Sequence, residues 1–265
     1  MGMSRTDAAR LPELLTALRL PTIKRLWPDF AAQADAEGWP ADRLLSTLAE
    51  LEVADRAQRR IARHLDAAKL PAGKSFDAFD FGTVPMVSRA HLEALATGDR
   101  WLASGQNVLL FGPPGAGKSH LAAALGRALV EHGYRVLFTR TTDLVQRLQT
   151  ARQELNLPGA LERLDKFDLL ILDDLSYVEK DQAETSVLFE LISARYERRS
   201  LLVTANQPFG QWDRIFPDPA MTVAAIDRLV HHAVIFEMNV ESYRRRSAAK
   251  RTMEPTKEVL TDPDK

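Results

Sequence analysis

Residues 108–119 read VLLFGPPGAGKS, an apolar run that passes directly into Gly112-x-x-x-x-Gly117-Lys118-Ser119. No other stretch constrains the chain as tightly. A short apolar run closed by Gly-Pro is a buried strand. The loop after it can bring backbone N–H groups onto phosphate oxygens because glycine carries no Cβ to hold them off. Lys118 then reaches the β- and γ-phosphates, and the Ser119 hydroxyl faces Mg²⁺. The helix opening at Lys118 adds the positive end of its dipole beneath the anion. Gly112, Pro113, Pro114, Gly115, Ala116, Gly117, Lys118, Ser119 and His120 are therefore the expected nucleotide contacts.

Around this loop the hydrophobic period changes once. In an N-terminal domain expected over 1–70, residues 11–70 are helical in pattern: LPELLTALRL stops at Pro21, a second helix carries Pro28 near its start and ends at Gly38, and a long amphipathic helix follows from Ala41. Residues 71–86 mix Pro, Gly and aromatics and read as a linker. From residue 87 strands and helices alternate. A helix over VSRAHLEALATGDRWLASG leads to NVLLF, RVLFT, DLLILDD, SLLVTAN and AVIFEM, with helices between them. Five near-continuous apolar strands predict a parallel sheet with helices on both faces, an α/β phosphate-binding-loop fold over 87–238 behind a small all-helical domain. The connection over 140–167 has room for two helices where one would serve. Residues 239–265 are expected to form a short basic tail.

The remaining chemistry sits at strand ends, where α/β sheets place their ligands. LLILDD ends in Asp173 and Asp174. We assign Asp173, with Ser119, to Mg²⁺ and Asp174 to the attacking water. The fourth strand ends Thr204-Ala205-Asn206, and the Asn206 amide can touch a γ-phosphate, although an Asn cap before Pro208 fits the same residues. No Asn-Lys-x-Asp follows the loop, which points to adenine rather than guanine. Arg228, before the last strand, is either a cation supplied to a neighbouring subunit's phosphates or a helix-end charge favoured by the dipole. The histidines include one adjacent doublet, His231-His232. Adjacent residues on a helix do not share a face, so no metal besides Mg²⁺ is expected.

The 265 residues carry a formal net charge of −1, so contact with nucleic acid must come from local basic surfaces. Three are candidates: Arg56, Arg60 and Arg63 with Arg59 on the long helix; Arg140, Arg147 and Arg152 around the long connection; and Arg244 and Arg245 within the C-terminal basic run. Such residues would hold phosphates without reading bases. There is no cysteine. No apolar stretch is long enough to span a bilayer, and no leader pattern precedes the helices, which suggests a cytoplasmic protein. These residues alone leave a small-molecule kinase open as an alternative.

The order GPPGAGKSHLA, LLILDDLSY, LLVTANQ, AAIDRL and ESYRRR resembles AAA+ ATPases of the IstB/DnaC group over nearly the whole chain. The N-terminal text LLTALRLPTIKRLWPDF, with LAELEVADRAQRRIARHLDAAKLP, looks like the IstB-type transposition helpers more than the helicase loader DnaC. The resemblance implies an ATPase that forms a homo-oligomer, ring or spiral, on double-stranded DNA. It would remodel that DNA and recruit or stimulate a cognate transposase, with a DnaC-like helicase loader as the alternative. It also implies Arg228 as arginine finger, Asn206 as first sensor and 140–167 as a DNA-facing insertion. Two departures stand out: Asp174 replaces the usual Glu, and the residues after the last strand are too few for a full helical lid.

Overall fold

The computed structural model describes residues 5–175, 182–208, 212 and 218–239. It separates into two compact units, Met1–Arg63 and His64–Lys265. Arg244, Arg245 and the rest of the expected basic tail beyond Asn239 lie outside the described residues.

The first unit holds α1 (Arg5–Ala17), α2 (Pro21–Glu37) and most of α3 (Ala41–Ala68). Pro21 occupies the first turn of α2, where its missing N–H costs nothing, whereas Pro28 lies inside the helix rather than near its start. Glu52 of α3, only 3% exposed, caps α2 by accepting the N–H groups of Thr22 (2.8 Å) and Ile23 (3.1 Å). A carboxylate there satisfies orphan donors and meets the positive end of the dipole. Thr22 Oγ1 also donates to Asp55.

In the second unit five parallel strands stand in the order β2-β3-β4-β1-β5: β1 (Val108–Phe111), β2 (Val136–Arg140), β3 (Leu169–Asp173), β4 (Ser200–Ala205) and β5 (Val234–Glu237). β1, β3 and β4 are buried along their full length, as near-continuous apolar runs require. The helices are α4 (Arg89–Ala96), α5 (Lys118–Glu131), α6 (Thr141–Gln153), α7 (Leu157–Leu164), α8 (Gln182–Arg195) and α9 (Pro219–Val230). Leu170, Leu172, Leu201 and Val203 share a core with Leu144 and Leu148 of α6, Leu188 of α8 and Leu229 of α9. The alternate residue Ile171 faces the other way, toward α5, where a Cβ on Gly126 would lie 2.7 Å from Ile171 Cδ1. Helices thus cover both faces, and α6 with α7 fill the long connection. Among the described residues no helix is long and apolar enough to cross a membrane.

Two departures from the sequence reading have local causes. The helix expected over 87–105 stops at Ala96, because the chain turns at Gly98 with φ 76° and Trp101 folds its ring inward, its indole N–H donating to Leu95 O (2.8 Å). The sequence predicts a last helix from about residue 222, but α9 starts at Pro219, because Asp218 caps it by accepting from Ala220 N and Met221 N.

Candidate nucleotide site

The loop after β1 lies against its neighbours so closely that its glycines are obligatory. Gly112 has φ 153°, and a Cβ there would fall 2.5 Å from Met238 O. Gly117, at φ 100°, caps α5, and its Cβ would meet the Phe79 ring at 2.7 Å. The buried ammonium of Lys118 donates to Gly112 O (2.8 Å), Pro113 O (3.0 Å) and Asn206 Oδ1 (2.7 Å). The cation therefore joins the loop to the end of β4.

One strand over, Thr204 organises the acidic pair. Its hydroxyl donates to Asp173 Oδ1 (2.7 Å) and accepts the Asp174 N–H (2.9 Å). Asp173 is 8% exposed and its carbonyl accepts from Thr141 Oγ1 (3.0 Å). Asp174 leaves β3 in the left-handed region, φ 59°, which Asp tolerates better than most residues.

Beside these residues lies a cavity of about 590 Å³. Pro114, Gly115, Ala116, Gly117, Lys118, Ser119 and His120 line one side, with Asp174 and Asn206. Gly112 and Pro113 contribute their carbonyls to Lys118 from behind. Asp173 stands just outside the lining, its carboxylate turned to Thr204.

The opposite wall comes from the segment read as a linker: Gly73, Lys74, Phe79, Asp80, Thr83 and Val84. This strap is tied down by His120, whose Nε2–H donates to Ser75 O (3.0 Å), and by edge contact between the rings of His120 and Phe79 (5.3 Å). Burial holds the His120 imidazole below its ordinary pKa, against the bond to Ser75. Sequence reasoning misses both the strap and Thr204. The signal available is three aromatics, Phe76, Phe79 and Phe81, inside a Gly/Pro-rich segment.

Arg228 lies away from this cavity. Asn107, immediately before β1, donates to Arg228 O (3.4 Å) and Leu229 O (3.0 Å), so the end of α9 sits at the edge where the strands begin. The guanidinium bonds Ala224 O (3.0 Å) and lies 4.9 Å from the Phe189 ring centre.

The basic candidates differ in what they already hold. Arg56 pairs with Glu52 (3.6 Å) and donates to Arg19 O, Arg59 pairs with Glu52 and Asp55, and Arg63 donates to Arg59 O (3.3 Å); these three and Arg60 are all exposed. Arg152 is engaged by Ser186 (3.1 Å) and Glu190 of α8. Arg140 and Arg147 instead line a hollow of about 1080 Å³ beside edge strand β2, together with Lys69 and Arg163. Arg147 bonds Thr139 Oγ1 there (2.7 Å).

A glycine-rich loop between a central strand and its helix, with acidic and amide groups on the adjoining strand ends, defines a nucleotide-binding P-loop protein of AAA+ fold. Solved structures agree on the fold. The DnaC helicase loader superposes with a TM-score of 0.55 at 22% identity, covering 63% of this chain and 98% of that one. AMPPCP-bound DnaA from Aquifex aeolicus also gives 0.55, at 17% identity over 72% of this chain and 59% of that one. The family is narrower than the fold. Residues 13–251 match the IstB-like ATP binding protein family, and the chain belongs to it. It is 73% identical over 242 residues to a putative insertion sequence ATP-binding protein of Sinorhizobium fredii, covering 91% of this chain and 81% of that one. It is 35% identical to the IS5376 putative ATP-binding protein of Geobacillus stearothermophilus, over 89% and 94%.

Proposed function

We propose that this chain is a DNA-dependent ATPase that assists transposition: it assembles on duplex DNA with ATP bound, and recruits or stimulates the transposase of its insertion sequence. The observation that carries the reading is the convergence of Lys118, Ser119, Asp174 and Asn206 on one cavity, in a chain whose relatives are insertion-sequence ATP-binding proteins.

In this reading the triphosphate lies along the loop, with backbone N–H groups and the α5 N-terminus facing its oxygens. Lys118 exchanges its carbonyl partners for phosphate oxygens while staying beside Asn206. The base occupies the side of the cavity walled by Phe79 and Val84. Ser119 and Asp173 are oxygen donors of the kind Mg²⁺ takes, and Asp173 keeps one oxygen fixed by Thr204. The metal would neutralise charge on the β- and γ-oxygens. Asp174 accepts a proton from the attacking water, and Asn206 orients that water against the γ-phosphate.

Arg228 is far from its own cavity, at the opposite edge of the sheet, which supports action on the ATP of an adjoining subunit. An arginine supplied in trans contributes about 10³–10⁵ in rate. Arg140 and Arg147 around the β2 hollow, and Arg60 and Arg63 on α3, would hold DNA phosphates; Arg152 is already committed to α8. The protein would act in the bacterial cytoplasm as a homo-oligomer. Mixing Arg228→Ala with Asp174→Asn subunits should restore part of the turnover each lacks alone, since some interfaces then pair an intact finger with an intact cavity. Unaltered turnover by Arg228→Ala rules out the finger. The alternative, a replicative helicase loader, has only the shared fold in its favour, and selective capture of a replicative helicase over the transposase would establish it.

A further inference from the structure

At the edge of the sheet opposite the nucleotide cavity, three residues that can ligate metal come together. The expectation of no such group assumes that His231 and His232 lie on a helix. α9 ends at Val230. His231 turns away at φ −57°, ψ 113°, and His232 is left-handed at φ 61°. The turn therefore brings the two imidazoles to the same side, with ring centres 3.9 Å apart. Glu197, in the turn that follows α8, has φ 55° and comes from the other side. His231 Nδ1 is 3.6 Å from Glu197 Oε1, and one ligand atom from each of the three residues lies within 4.8 Å of the others. In a tetrahedral site with bonds of about 2.0–2.1 Å, ligand atoms stand about 3.3–3.5 Å apart. Small rotamer changes close the difference.

From this geometry we propose that Glu197, His231 and His232 bind a zinc-class transition cation. Two imidazoles and one carboxylate suit zinc and its neighbours, whereas Mg²⁺ and Ca²⁺ take sets of oxygen donors. All three residues are exposed, so a fourth position stays open to water. The Tyr196 hydroxyl, 2.8 Å from His231 Nδ1, occupies one approach and is exchanged for the cation when that nitrogen ligates.

The backbone beneath the site is braced on both sides. Asn107 is buried; its amide N–H groups hold Arg228 O and Leu229 O, and its Oδ1 accepts the Leu201 N–H (2.9 Å). It thus couples the end of α9 to the start of β4. Gly105 lies against the other turn, where a Cβ would be 2.8 Å from the Glu197 carbonyl carbon.

The test uses the tag-free full chain, freed of metal and nucleotide, titrated with Zn²⁺ by calorimetry and with Co²⁺ by visible absorption. The expected result is one zinc per chain, not displaced by excess Mg²⁺, with cobalt bands of low coordination number. His232→Ala and Glu197→Gln should each weaken uptake by about tenfold or more, since even outer partners of a metal site matter that much. Circular dichroism checks that both variants are folded. No saturable uptake, displacement by Mg²⁺, or affinity unchanged in both variants would overturn the site. None of these readouts depends on the nucleotide cavity.

Discussion

Lys118→Ala tests the loop most sharply, because the wild-type residue is 5% exposed and its ammonium bonds Gly112 O, Pro113 O and Asn206 Oδ1 at 2.7–3.0 Å. A hydrogen bond involving a charged group contributes about 1.5–3 kcal/mol net. With nucleotide bound, the same ammonium would serve phosphate oxygens in a partly desolvated cavity. Its removal should therefore cost about 2–4 kcal/mol of binding, roughly a 30- to 700-fold weaker affinity. Competition of ATP against a fluorescent analogue in Mg²⁺ buffer measures this, with thermal unfolding as a check on the fold. Wild-type affinity in a folded Lys118→Ala protein would refute the reasoning.

Other outcomes follow from particular contacts. Gly117→Ala should lose nucleotide binding, because its Cβ would have to stand 2.7 Å from Phe79 at a left-handed φ; retained binding contradicts the close strap. Arg195 is fully buried, donates to Leu164 O, Phe167 O and Ser200 O, and has its pKa lowered to about 10 chiefly by burial. Arg195→Met should destabilise the second unit by about 2–4 kcal/mol through the carbonyls it leaves, read as a lower midpoint in chemical denaturation. His120 has a folded pKa below the unfolded value, so its penalty begins as pH falls through about 6.5 and is complete below the folded value. Wild type should then lose more thermal stability on acidification than His120→Asn does, and equal losses would remove the effect. Paired Arg147→Glu and Arg163→Glu changes should weaken DNA binding and flatten its salt dependence, by about 0.9 in slope for each phosphate no longer held. An unaltered slope would place the DNA elsewhere, Arg60 and Arg63 being the first alternatives.

The loop and the strands are legible because backbone physics writes them into composition. Glycines recur where no Cβ fits, and the strands buried on both faces are unbroken apolar runs. The strap is not legible. Phe79 and Ser75 lie in a segment without periodicity, and their value comes only from the approach of Gly117 and His120. Thr204 is, with Ser200, one of two polar residues in an otherwise apolar strand, and its part emerges only when β3 and β4 pair and bring Asp173 beside it. The His231-His232 doublet misleads because a helix boundary shifted by a single residue reverses whether the two rings can converge. Arg152 and Arg147 look alike in sequence. The packing of α6 on α8 separates them, giving Arg152 the carboxylate of Glu190.

The most direct test of the whole account is phosphate release from ATP by the wild-type chain with Mg²⁺, followed as duplex DNA is added. The account predicts turnover that rises to a plateau with DNA and yields free phosphate as the product. A rate indifferent to DNA, with the phosphoryl group recovered on a small acceptor molecule instead, would contradict it.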